Sequence, residues 1–150
     1  MNGSSFELPK EVFLSHSSLD RSFADALAAT LRRHGVPVWY STQIVGAAKF
    51  QDEIGRALQR CDWFAVILSP QSVDPVKCRW VRREVSYAIG EPRYDDRIIP
   101  ILCEPCEVEK LNWVLKALQY VDFTKDPGDG YRELLRVWGL GYTPTNGGSL

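Results

Sequence analysis

Apolar residues recur along this chain in two alternating rhythms, short unbroken runs and longer stretches repeating every three to four residues. The alternation predicts parallel strands joined by crossover helices. Residues 12–14 form the first apolar run and lead into Ser15-His16-Ser17-Ser18. Phe23, Leu27 and Leu31 then mark a helix, with the Ser17 to Asp20 spacing as its opening cap and Gly35 as its stop. Residues 37–40 read as a second strand, residues 41–49 as a small-residue loop, and Phe50, Ile54, Ala57, Leu58 and Cys61 as the apolar stripe of a second helix. Residues 63–68 are apolar without alternation, as in a central strand covered on both faces.

Downstream of that strand and of Ser69-Pro70, Val81, Val85, Ala88 and Ile89 fix the buried stripe of a third helix. Trp80, Glu84 and Ala88 form the adjoining column, since residues four apart share a helical face. Glu84 therefore sits at the margin of the apolar stripe, where a carboxyl group is open to a shifted pKa or a ligand contact. Residues 98–103 read as a fourth strand although Pro100 cannot donate to a ladder, which ordinarily places a strand at an edge or a bulge. A short helix over residues 111–118, a last strand over 119–123 and a closing helix over 131–138 complete the pattern, with Asp126-Pro127-Gly128-Asp129 as the turn and cap before the last. The whole is an α/β chain, an open doubly wound sheet of about five parallel strands with helices on both faces, of flavodoxin-like strand order.

Composition narrows the function without naming it. A chain of 150 residues, 45% hydrophobic and 25% charged, is one ordinary globular domain. Its net charge of −1 gives no general field for nucleic acid or an anionic membrane, and the local Arg79, Arg82 and Arg83 group reads as a solvated helix face. No apolar run reaches the roughly 18–20 residues that cross a bilayer and no basic-then-apolar leader opens the chain, so a cytoplasmic location is expected. GxGxxG, GxxxxGK[ST], GxSxG and HExxH are all absent, which disfavours ordinary dinucleotide redox, phosphoryl transfer and serine hydrolysis. Cys61, Cys78, Cys103 and Cys106 are too scattered for a disulfide framework. Cys103-Glu104-Pro105-Cys106 has the spacing of a metal half-site or a redox motif but finds no second close pair, and His16 and His34 are distant in sequence. No metal is expected, and these thiols read as a strand-end and a loop cysteine.

Four segments in order resemble the Toll/interleukin-1 receptor (TIR) domains, most of all the bacterial ones that cleave NAD. They are Val12-Phe13-Leu14-Ser15-His16 with Asp20; Val38-Trp39-Tyr40 followed by Gly46 and Lys49-Phe50; Phe64-Ala65-Val66-Ile67-Leu68-Ser69-Pro70 with Trp80 and Glu84; and Ile98-Ile99-Pro100-Ile101. The resemblance covers roughly residues 9–139 and tolerates the proline. Its boundaries imply a flexible N-terminus over residues 1–8, a TIR domain over 9–140 and a flexible tail or truncated linker over 141–150.

The resemblance implies an NAD nucleosidase. It would yield nicotinamide with ADP-ribose or a cyclic isomer, use NAD as substrate and need no cofactor. On that reading Glu84 is the catalytic carboxylate, while Trp80 is either an aromatic floor for the substrate or a core anchor. Ser15, His16, Ser17 and Ser41, at the carboxyl ends of the first two strands, are candidate substrate contacts. His16 stands where many relatives have tyrosine, Ser41 where an acid is common, Cys78 where serine is frequent and Val81 where cysteine is frequent. The loop holding Gly46, Lys49 and Phe50 would be an assembly surface, making activity dependent on self-association. A fused or partner sensor and a role in bacterial antiphage defence belong to the same expectation. The rival expectation is a TIR scaffold that signals by assembly alone.

Overall fold

The computed structural model describes residues 7–41 and 48–145, apart from the side chains of residues 48–50. Five parallel strands run β1 (Val12–Ser15), β2 (Val38–Trp39), β3 (Trp63–Leu68), β4 (Ile98–Leu102) and β5 (Val121–Asp122). They lie in the order β2-β1-β3-β4-β5, the flavodoxin-like arrangement expected from the pattern of runs. The helices are α1 (Arg21–Arg33), α2 (Ala48–Arg60), the single turn α3 (Pro70–Val73), α4 (Trp80–Gly90), α5 (Trp113–Ala117) and α6 (Pro127–Arg136).

Pleating divides the sheet's side chains between two cores. Val12, Leu14, Ala65, Ile67, Ile99 and Ile101 pack against α1 and α6 on one face. Phe13, Phe64, Val66 and Leu68 pack against α2, α4 and Leu115 of α5 on the other. The unbroken apolar run of β3 is thus needed in full, because every residue from Phe64 onward meets one core or the other. The same alternation turns Ser15 towards the α4 face, two positions on from Phe13.

Pro100 pairs with Val66 inside the sheet instead of marking an edge. Cys103 donates its amide to Leu68 O on β3, whereas Leu102 O accepts from Phe123 N beside β5. Even-numbered positions of β4 therefore face β5, and Pro100 turns its nitrogen that way. The ladder with β5 begins only at Ile101 and Val121, so the missing N–H costs no sheet bond.

The starts of α1 and α6 differ from the sequence reading. Ser17 caps a 3-10 turn, Ser18–Asp20, and α1 starts after it without a side-chain cap. Asp20 does not close a capping box with Ser17; its carboxylate is drawn into the protein, towards Ser69. The closing helix α6 starts four residues early, because Asp126 accepts from Gly128 N and Pro127 stands at its first position, where a missing amide is harmless. At the end of α1 the expected stop holds: Gly35 has φ 85° and the next amide, Val36 N, returns to Leu31 O.

Candidate active site

The carboxyl ends of β1 and β3 and the first turns of α4 enclose a small group of buried polar side chains. Glu84 is 8% exposed and lies one turn into α4, next to the core residues Val81, Val85 and Ala88. Ser15, the last residue of β1 and fully buried, donates its hydroxyl to Glu84 Oε1 at 2.6 Å. No ion pair reaches Glu84 among the described residues: Arg82 donates to the Lys110 and Leu111 carbonyls and Arg83 lies over the Trp80 ring. Burial accordingly pushes the Glu84 carboxyl up to about 7, and the Ser15 hydrogen bond only partly opposes it.

Ser17 is buried beside this group, accepting from Leu19 N and hydrogen bonding the Cys78 thiol. Burial raises the Cys78 thiol, which disfavours a thiolate two residues before Trp80. His16 is half-buried and held at both nitrogens' reach, with Arg21 Nε donating to its Nε2 at 3.3 Å and the Leu14 backbone on its other side. Burial and the Arg21 charge lower its pKa to about 4, so the ring is neutral at physiological pH. It meets Tyr40 edge-on at 5.7 Å, while the Tyr40 hydroxyl donates to Asp25.

The structure brings Ser15 and Ser17 into the Glu84 group and sets His16 just beyond it. Trp80 is 36% exposed, so it is not the core anchor that one reading allowed. Leu19, in the 3-10 turn after β1, and Val76, in the turn after α3, are also strongly exposed. Ser41 is half-buried, two residues after the end of β2. Gly46 lies outside the described residues; Lys49 and Phe50 fall in the first turn of α2, with side chains outside what is described.

Sequence reasoning missed a second polar group at this edge. Asp20, 5% exposed, accepts from Ser69 Oγ at 2.5 Å and from Gln71 Nε2 at 3.2 Å. Ser69 in turn caps α3 through a capping box with Ser72. Ligand atoms of Asp20, Cys103 and Glu104 lie within 4.8 Å of one another. Two clefts of about 390 and 500 Å³ open elsewhere on the surface, and Glu84 lines neither.

A parallel doubly wound sheet with ligand-competent polar groups at its carboxyl edge defines an α/β domain of the flavodoxin-like kind. The family model for the TIR domain matches residues 12–135, and the chain belongs to that family. Among solved structures it is similar to the crystal structure of the TIR domain of the Toll-related Receptor TRR-2 from Hydra magnipapillata. The two share 24% identity and a TM-score of 0.65 over 83% of this chain and 94% of that one, a likeness of fold. No curated protein matches the sequence. No helix among the described residues is long and apolar enough to cross a membrane.

Proposed function

We propose that this TIR domain is an NAD nucleosidase in which Glu84 acts on the ribose next to nicotinamide. The observation that carries the reading is a carboxyl group buried without a cation among the described residues and held by one serine hydroxyl at the carboxyl edge of the sheet, where folds of this kind bind ligands. A purely structural acid is normally ion-paired or solvated, and an unpaired buried one is costly. The chemistry suits it. Nicotinamide leaves as a neutral base from a cationic precursor and needs no acid, so the barrier lies in the positive charge developing on the ribose. An ionised Glu84 stabilises that charge or attacks the anomeric carbon, after which water gives ADP-ribose or the adenine of the same molecule gives a cyclic isomer. Ser15 favours the ionised form by donating to it. Trp80 offers an exposed aromatic face for the base, already shared with the Arg83 guanidinium at 5.3 Å.

A carboxyl only 8% exposed is not open to a dinucleotide, so catalysis requires the loops around it to part. On this reading contact between copies supplies the work of opening, with the loop that holds Gly46, Lys49 and Phe50 as the assembly surface. We attach a bacterial antiphage role to this activity, with NAD loss or a cyclic product as its output. The strongly exposed Leu19 and Val76 also favour the second reading, a scaffold that assembles and does no chemistry.

Incubating clustered protein with NAD and separating the products distinguishes them. Nicotinamide release that disappears in Glu84→Gln supports the enzyme. No release from the parent protein at any degree of clustering would sink it in favour of the scaffold.

A further inference from the structure

The CxxC at the end of β4 has the partner that its sequence lacked, and that partner is a carboxylate. Asp20 follows β1, eighty-odd residues upstream, yet its side chain meets Cys103 and Glu104 because β3 stands between the two strands. The end of β3 organises all three. Leu68 O accepts the amides of both Cys103 and Glu104, at 2.9 and 3.4 Å, and the next residue, Ser69, donates to Asp20 Oδ2. Gln71 donates to the other oxygen, Oδ1. Asp20 is thus buried and oriented by two outer donors while each oxygen keeps a lone pair free, the arrangement that second-shell groups give a metal-ligating carboxylate.

We propose that Asp20, Cys103 and Glu104 bind a zinc-like divalent cation, with solvent in the fourth position. The thiol decides the class of ion: two carboxylates alone would suit magnesium or calcium, but a cysteine ligand selects a softer, borderline metal. Tetrahedral coordination with bonds of about 2.0–2.3 Å puts ligand atoms roughly 3.3–3.8 Å apart. The observed spread, within 4.8 Å, closes to that by a modest swing of Glu104, whose side chain is exposed. On binding, the Cys103 thiol proton passes to solvent and the sulfur becomes a thiolate ligand. Cys106 stays outside the set and lines the 500 Å³ cleft with Pro70, Val73 and Lys110. A bound ion ties the loop after β1, which begins at His16, to the loop after β4. This inference does not depend on NAD cleavage.

The full chain, freed of metal by a chelator, is titrated with Co²⁺ and then with Zn²⁺. One Co²⁺ per chain is expected, with a thiolate-to-cobalt charge-transfer absorption that Zn²⁺ abolishes by displacement. Cys103→Ser removes the absorption, and Glu104→Gln weakens Zn²⁺ binding about tenfold or more. Glu104 is exposed, so its variant keeps the fold, which circular dichroism verifies. Absence of the charge-transfer absorption in the parent chain overturns the proposal. So does its survival in Cys103→Ser, or an unchanged Zn²⁺ affinity in Glu104→Gln.

Discussion

Replacing Glu84 by Gln should make this domain more stable, and only above mildly acidic pH. In the folded state the Glu84 carboxyl titrates at about 7, against an ordinary value of 4.5, because burial disfavours its charge. Between those two values the folded chain still holds a proton that the unfolded chain has released. Stability therefore falls as pH rises from about 4.5 through about 7 and then levels off. A gap of about 2.5 pH units at about 1.36 kcal/mol each amounts to roughly 3 kcal/mol. Glutamine has the same shape, keeps an oxygen to accept from Ser15, and never ionises. Below about pH 4.5 variant and parent should coincide, and near pH 8 the variant should be more stable by up to about 3 kcal/mol. For a domain of this size that is a rise in Tm on the order of 6–12 °C. Paired thermal unfolding curves followed by circular dichroism across the pH series measure it. Two profiles that run parallel over the whole range would refute the reasoning, since Glu84 would then be titrating alike folded and unfolded. A gain in stability joined to a loss of nicotinamide release is what a costly functional carboxylate predicts.

Other outcomes follow from neighbouring geometry. Nicotinamide release should climb as pH rises through about 7, where Glu84 ionises. Removing the hydroxyl in Ser15→Ala raises that pKa further and moves the pH–rate profile to the alkaline side; an unmoved profile would show that the 2.6 Å contact does not tune the acid. Gly130→Ala places a methyl 2.6 Å from the Phe123 ring, and chemical denaturation should register a loss of about 1–3 kcal/mol without any change in the pH–rate profile. Specific activity should fall on dilution as contacts between copies are lost. A constant value across a wide dilution series, with no association seen by light scattering, would contradict the need for assembly.

The fold was legible wherever one rhythm dominated. The four-residue repeat of α1 and the six-residue run of β3 needed no tertiary knowledge, because burial on a helix stripe or on both sheet faces dictates those patterns directly. Element ends were less legible. Ser17 and Asp20 have the spacing of a cap, but a deeper partner, Ser69, competes for the same carboxylate and no local signal reveals it. Pro100 also needed the third dimension, since its tolerance depends on where β5 begins. Within the site, Glu84 stood out by its place beside an apolar stripe and by family resemblance, whereas its hydroxyl partner is 69 positions away in sequence. Trp80 was ambiguous because its column borders the buried one; the helix turns it outward, next to Arg83.

The sheet's two cores give the chain a division of labour. Glu84, Ser15 and α4 lie over one face, while the apolar sides of α1 and α6 close the other. Substitutions among Leu27, Leu31, Leu134 and Leu135 alter how firmly the sheet is clamped but leave the carboxyl site intact. One face can therefore accumulate change, or be engineered for heat resistance, while selection on the proposed activity would act on the other. A lineage of such domains would diverge fastest in its α1 and α6 packing, with stabilising substitutions there offsetting the cost of an uncompensated acid across the sheet.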